Sequence, residues 1–161
     1  MSGAKSILLS TLATKFSASD VETFKASYPH DWLVWEPGQW RPPARTTVLL
    51  APDPAHPPPR EGESLAFALE PKEQLTVGRG EDCDVSINDA TLSQTHLVLR
   101  RRAPSGWTVR DAGSTNGTVV DGALVPAGKP VDLKSGARIQ AGGVTLTFYV
   151  PAGLLMRLRS R

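Results

Sequence analysis

Gln74-Leu75-Thr76-Val77-Gly78-Arg79-Gly80, followed after a short acidic turn by Val85-Ser86-Ile87-Asn88-Asp89, reads as two strand segments with turns at their ends. Leu75 and Val77 alternate with Gln74 and Thr76; Val85 and Ile87 alternate with Ser86 and Asn88. A side-chain period of two places apolar residues on one face and polar residues on the other, which is the pattern of a half-buried strand. Gly78-Arg79-Gly80 and Asn88-Asp89 break the pattern with residues that favour turns.

The same period extends in both directions. Leu65, Phe67 and Leu69 alternate with Ala66 and Ala68, Trp107 and Val109 with Thr108 and Arg110, and Val144, Leu146 and Phe148 with Thr145 and Thr147. Turn signals recur at Ser105-Gly106, Asn116-Gly117, Asp121-Gly122, Ala127-Gly128, Ser135-Gly136 and Gly142-Gly143. Many short strands with frequent turns predict an all-β, antiparallel β-sandwich with one solvated face per strand. No helical period of useful length falls within residues 63–150.

Outside this segment the pattern changes. Residues 1–43 form a small tryptophan-rich N-terminal module holding three of the four tryptophans. Its start, Lys5 to Ala13, is faintly like a secretory leader, but no small-residue cleavage site follows, and a loosely packed terminus is expected. Ser19-Asp20-Val21-Glu22 has the form of a capping box, predicting a short helix to about Ser27 that buries Val21, Phe24 and Tyr28. Trp32-Leu33-Val34-Trp35 is strand-like and is expected to return through Pro37-Gly38 to Gln39-Trp40 as a hairpin. Residues 44–62 are a Pro-rich linker, with Val48-Leu49-Leu50 as a short strand inside it. Residues 151–161 are a basic amphipathic tail that either packs on the sandwich or meets a partner.

Composition narrows the function. The chain has 161 residues, a net charge of +2 and one cysteine, Cys83. That charge is too small to argue for nucleic-acid binding, and one cysteine permits no internal disulfide or cysteine-based metal cluster. No apolar run reaches the ~20 residues that cross a bilayer, so no membrane insertion is expected. Asp82-Cys83-Asp84 is the nearest approach to a metal site and reads better as a polar turn, so neither metal nor cofactor is expected. The Ala-, Pro- and Arg-rich composition suits a bacterial, high-GC genome.

The residues at the strand ends carry the chemistry. Gly78-Arg79, Ser93-Gln94-Thr95-His96 and Asp111-Ala112-Gly113-Ser114-Thr115-Asn116-Gly117-Thr118 are three loops of small, hydroxylated or amide residues with one arginine. Arginine offers a planar fork of donors matched to phosphate. Serine and threonine donate to phosphate oxygens, and asparagine can both donate to and accept from a peptide backbone. Asp111 is expected to tie its loop to backbone amides as an Asx-turn.

Gly-Arg, then Ser-x-x-His, then a loop bearing Asn-Gly strongly resembles the forkhead-associated (FHA) domain, over about 85 residues. The resemblance implies an FHA-type sandwich that binds phosphothreonine peptides. It implies that Ser93 contacts the phosphate and Arg79 the phosphate or the adjacent peptide backbone, with Gln94 beside them where the family often places a charged or amide side chain. It implies that Ser114 and Thr115 lie at the phosphothreonine and that Asn116 holds the peptide main chain. Gly78, His96 and Gly117 would be structural supports, and Asn88, Thr91 and Leu92 would select neighbouring peptide residues. The partner would be a phosphothreonine-containing protein, a Ser/Thr kinase or its substrate, met in the cytoplasm.

Two rivals stand beside this reading. One is a structural scaffold subunit of an assembly such as a secretion system, binding without phosphate through the tryptophan-rich module. The other is an enzyme using Ser93 and His96. No nucleophile elbow or Walker-type loop accompanies that pair, so no catalytic residue is assigned.

Overall fold

The computed structural model describes residues 6–36, 63–102 and 106–160. Its elements in chain order are β1 (Ser6–Leu8), α1 (Leu9–Phe16), α2 (Val21–Ser27), β2 (Asp31–Trp35), β3 (Leu65–Leu69), β4 (Gln74–Gly78), β5 (Val85–Ser86), β6 (Leu97–Arg101) and β7 (Trp107–Asp111). There follow β8 (Thr118–Val120), β9 (Ala123–Leu124), β10 (Val131–Leu133), β11 (Arg138–Ala141), β12 (Val144–Tyr149) and α3 (Pro151–Arg159). The strands form two sheets, ordered β1-β3-β2-β12-β11-β8-β9 and β10-β7-β6-β4-β5. Described pairings are antiparallel except β4 with β5, which run parallel with Val77 opposite Val85. The fold is thus the predicted β-sandwich.

The core between the sheets takes the inward rows of the alternating strands. Leu75, Val77, Leu97, Leu99 and Val109 from one sheet meet Leu33, Phe67, Ile139, Leu146 and Phe148 from the other. Each fully buried side chain of this size contributes roughly 1.5–3 kcal/mol relative to exposure. The indole N–H of Trp107 donates to Asp31 Oδ2 at 2.7 Å, joining the two sheets near one end.

A second core lies on the other side of the seven-stranded sheet. Leu9, Leu12 and Phe16 of α1, Phe24 of α2, and Leu154, Leu155 and Leu158 of α3 cover Trp32, Val34, Ala66 and Ala68. The Phe24 and Trp32 rings stack with centroids 5.9 Å apart. The expected solvated face of β3 is therefore absent: all five of its residues are buried. Ala66 and Ala68 are small because helices pack directly over them.

The N-terminal segment departs from its predicted form in three ways. Its start is ordered: β1 pairs with β3, and Leu9 and Leu12 are fully buried. The signal for this was the helical spacing Leu9, Leu12, Phe16, which the leader-like composition masked. Helix α2 is capped by Asp20, whose carboxylate accepts from the Thr23 amide at 2.8 Å. The capping register is therefore one residue later than Ser19-x-x-Glu22, because aspartate caps as well as serine does. Finally, Trp32–Trp35 belongs to no separate hairpin. As β2 it runs between β3 and β12, with Leu33 opposite both Phe67 and Phe148. Both of its faces are covered, which is why Trp32 through Trp35 are all buried. Its expected partner Gln39-Trp40 lies outside the described residues, as do the Pro-rich segment and Val48-Leu49-Leu50.

Of the two options for the tail, the structure takes packing. The Arg157 guanidinium donates to both oxygens of Glu36, at 2.6 and 2.7 Å. Arg159 donates to the Ser19 carbonyl, so α3 also touches the α1–α2 turn. No described helix is long and apolar enough to cross a membrane.

Candidate functional site

The three predicted loops converge at one end of the sandwich. Strand β4 delivers Gly78 and Arg79, the turn before β6 delivers Ser93 to His96, and the 112–117 loop carries Thr115 and Asn116 from one sheet to the other. Asn116-Gly117 is therefore a crossing between sheets, since β7 and β8 lie in different ones.

Main-chain bonds bring the first two loops together. The Arg79 and Gly80 amides donate to the Ser93 and Gln94 carbonyls, each at 2.9 Å. The approach is so close that a Cβ on Gly78 would lie 2.4 Å from the Gln94 carbonyl oxygen, and only glycine fits without a shift. The Arg79 Nε–H donates to the Leu92 carbonyl at 3.0 Å. This anchors one edge of the guanidinium and leaves its two Nη groups with no partner among the described residues.

His96, fully buried, joins the second loop to the third. Its Nδ1 accepts from the Ser93 amide at 3.1 Å and its Nε2 lies 2.8 Å from the Gly117 carbonyl. Nδ1 as acceptor requires the proton on Nε2, which then donates to Gly117. The Thr115 amide donates to Ser93 Oγ at 3.0 Å. That hydroxyl keeps its own hydrogen for a ligand, next to exposed Thr115 and half-buried Arg79.

Asp111 organises the third loop. Its Oδ2 accepts from the Gly113 and Ser114 amides, both at 3.0 Å, which forms the Asx-turn. Its Oδ1 accepts from the hydroxyls of Ser114 at 2.6 Å and Thr118 at 2.7 Å. Burial pushes the Asp111 carboxyl up, but these hydroxyl and amide donors outweigh it and hold the group below the usual carboxylate range. The Ser114 hydroxyl also accepts from the Gly117 amide at 2.9 Å. Ser114, read from the sequence as a ligand contact, thus spends its hydroxyl inside the loop and serves as scaffold.

Asn116 and Thr91, one of the residues expected to select peptide neighbours, form one bracket with Asp89 and Gly143. The Asn116 side-chain amide donates to the Thr91 carbonyl at 2.7 Å. Thr91 Oγ1 donates to Asp89 Oδ1 at 2.6 Å and accepts from the Gly143 amide at 2.8 Å. Asn116 is therefore held with its Oδ1 available as an acceptor. Leu92 is buried and supplies its carbonyl to Arg79. Sequence reasoning missed Asp89 and Gly143; the Asx-x-Thr spacing of Asp89 and Thr91 was the available signal.

Arg79, Gly80, Glu81, Asp82, Asn88 and Gln94 line an open depression of about 410 Å³. Gln94 lies exposed against the 78–80 turn, and Glu81 and Asp82 on the rim offset part of the Arg79 charge. The arrangement can hold a compact anion between Arg79 and the Ser93 hydroxyl, with an extended chain passing Asn116. A nucleophile–base pair is not formed: His96 Nδ1 takes the Ser93 backbone amide, not its hydroxyl. Asp82-Cys83-Asp84 makes no ligand cluster. The Cys83 thiol donates to the Gln94 carbonyl, and Asp84 accepts from Lys72 and Thr76.

A two-sheet sandwich with anion-receptive loops at one end is the class of domain that these features define. The FHA domain family model matches residues 75–142 of this chain. It is 35% identical over 89 residues to an FHA domain-containing protein of Arabidopsis thaliana, covering 54% of this chain and 22% of that one. It is 38% identical over 73 residues to the oxoglutarate dehydrogenase inhibitor of Corynebacterium diphtheriae, covering 45% and 48%. The chain thus spans less than half the length of these relatives. Among solved structures it is similar to an FHA domain described for phosphothreonine-dependent interactions, with a TM-score of 0.51, 20% identity and coverage of 74% and 95%. That likeness is one of fold.

Proposed function

We propose that this chain is a phosphothreonine-dependent protein-binding module that acts as an adaptor in Ser/Thr kinase signalling. The observation that carries the reading is the contact of the Thr115 amide with Ser93 Oγ at 3.0 Å, beside an Arg79 anchored through Nε. A phosphate carries about −1.5 to −2 charge at neutral pH. Arg79 supplies the complementary charge, the Ser93 hydroxyl a short donor, and Asn116 Oδ1 an acceptor for the peptide main chain. The match of the FHA family model to residues 75–142 supports the same ligand.

The module binds without turnover, since both ring nitrogens of His96 are engaged by backbone groups and neither serves as a base for the Ser93 hydroxyl. Its partners are phosphothreonine-bearing proteins, among them a kinase or its substrate. We place it in the cytoplasm, where a lone buried thiol such as Cys83 stays reduced.

Fluorescence anisotropy with matched phosphothreonine, phosphoserine and unphosphorylated peptides tests the proposal. Binding restricted to phosphothreonine and abolished by Arg79→Ala supports it. A partner retained in full by Arg79→Ala would instead favour the phosphate-independent scaffold.

A further inference from the structure

The outer face of the five-stranded sheet carries a feature that the phosphate loops do not use. Side chains alternate along β6 and β7, so Leu97, Leu99 and Val109 point into the core while Val98, Arg100, Thr108 and Arg110 share the outer face. Val98 lies directly opposite Arg110, and Arg100 opposite Thr108. On the next strand Thr76 and Gln74 continue these two rows. Gln74, Val98, Arg100, Thr108, Arg110, Gly128 and Pro130 enclose a hollow of about 160 Å³. Its floor is Val98, only 6% exposed although it faces outward.

The two arginines here are poorly neutralised. Arg100 reaches Glu73 only at 3.8 Å, with both side chains mostly exposed, and such a pair is worth little. Arg110 has no ion-pair or hydrogen-bond partner among the described residues. The other nearby charges are matched: Asp132 pairs with Arg102 at 2.5 Å and Asp84 with Lys72 at 2.6 Å. The remaining arginine of the Arg100-Arg101-Arg102 run lies over the Trp107 ring. Lys129, between two lining residues, adds a further positive charge to the surrounding loop.

The hollow is continuous with the ligand loops. Gly78, His96 and Ala112 lie two residues further along β4, β6 and β7, so the Val98–Arg110 row sits about 7 Å below them. The Arg100 row follows about 7 Å further on. An extended chain leaving the phosphate loops over this face therefore meets Arg110 after about two residues and Arg100 after about four.

We infer that this arginine-flanked hollow is a second contact surface for the phosphorylated partner and takes an acidic stretch flanking the phosphothreonine. An aspartate or glutamate side chain can lay its methylenes on Val98 and set its carboxylate between the two guanidinium groups, with Thr108 and Gln74 as further donors. The inference rests on the phosphothreonine reading, because the phosphate fixes the register at which the acidic stretch arrives.

The test uses the full chain and three phosphothreonine peptides: one short with neutral flanks, and two extended by six Asp/Glu residues on the N-terminal or the C-terminal side. Anisotropy titrations compare the unaltered chain with Arg100→Ala/Arg110→Ala and with Arg110→Glu; both positions are exposed and outside the phosphate loops. One acidic extension should tighten binding about five- to tenfold at low salt, the gain expected of two or three exposed ion pairs. Added salt should erode that gain, both variants should abolish it, and the short peptide should be unaffected by the substitutions. If neither extension tightens binding, or the gain survives both variants, the inference fails while the phosphothreonine reading stands. If no phosphopeptide binds at all, both fall.

Discussion

Glu36 and Arg157, 121 residues apart in the chain, meet in a paired hydrogen bond that ties α3 to the end of β2. Ser64 and Thr147 also donate to the Glu36 carboxylate, and the Tyr149 ring lies under the guanidinium. Only 11% of the Glu36 side chain and 27% of the Arg157 side chain is exposed. Breaking a mostly buried pair strands a charge. Arg157→Ala should therefore cost about 2–4 kcal/mol, read as a lower midpoint in urea. A fall below about 0.5 kcal/mol would mean that Leu154, Leu155 and Leu158 hold α3 unaided.

The same carboxylate makes stability pH-dependent. Burial pushes the Glu36 carboxyl up, but hydrogen bonds from Arg157 and Thr147 and the Arg157 charge outweigh it, and the net shift is downward from 4.5. Asp84 and Asp111 shift downward from 3.8 in the same sense. A group with a depressed folded pKa stabilises above its unfolded pKa and loses that contribution as pH falls through the folded value. Melting temperature should stay level from neutral pH to about pH 5 and drop below about pH 4. Glu36→Gln should flatten part of this drop; an unchanged acid profile would remove Glu36 from the account.

Loss of Arg79 tests the ligand charge without touching the core. Truncating one partner of a charge pair costs on the order of 2–4 kcal/mol, so Arg79→Ala should weaken phosphopeptide binding about 30- to 1,000-fold. Arg79→Lys should recover only part, since lysine cannot both bond the Leu92 carbonyl and offer a planar fork. Titration calorimetry reads both, and equal affinity of the lysine variant and the parent would refute the anchored-fork geometry.

His96 should matter for shape rather than charge. Its ring bridges the Ser93 amide and the Gly117 carbonyl, so His96→Ala leaves two inward-facing backbone groups unpaired at about 1–3 kcal/mol each. Both melting temperature and phosphopeptide affinity should fall. A variant with lowered stability but undiminished affinity at 10 °C would show that the loops hold their relation without the ring.

Gly78→Ala should disturb the site more than the fold. The added Cβ would press on the Gln94 carbonyl at 2.4 Å, parting the 78–80 and 93–94 backbones. Amide chemical shifts of Arg79, Gly80, Ser93 and Gln94 should move while those of β11 and β12 stay in place. Unmoved shifts at Ser93 and Gln94 would show that the two loops absorb the methyl group.

How legible this molecule was depended on whether its signals were local. The period-two runs and the loop residues Arg79, Ser93, Thr115 and Asn116 each declare themselves within a few positions, so the sandwich and the three loops that converge at its end were readable. Trp32–Trp35 misled because a strand buried on both faces has no alternation. Its partners, Phe67 and Phe148, are distant in the chain. Ala66 and Ala68 looked like an exposed row because nothing in β3 announces the helices above it. Ser114 misled for a related reason: a loop hydroxyl reads the same whether it faces ligand or a buried carboxylate such as Asp111.

The position of β2 has a bearing on how the protein is made. This strand emerges early in synthesis, carrying Trp32, Leu33 and Trp35, yet one of its two neighbours, β12, and the helix that covers it, α3, are translated more than a hundred residues later. Until then a nascent chain holds an apolar strand with an open edge, the feature that invites aggregation. The sandwich can close only after Tyr149 has left the ribosome, and a chain truncated before β12 would keep the second edge of β2 open.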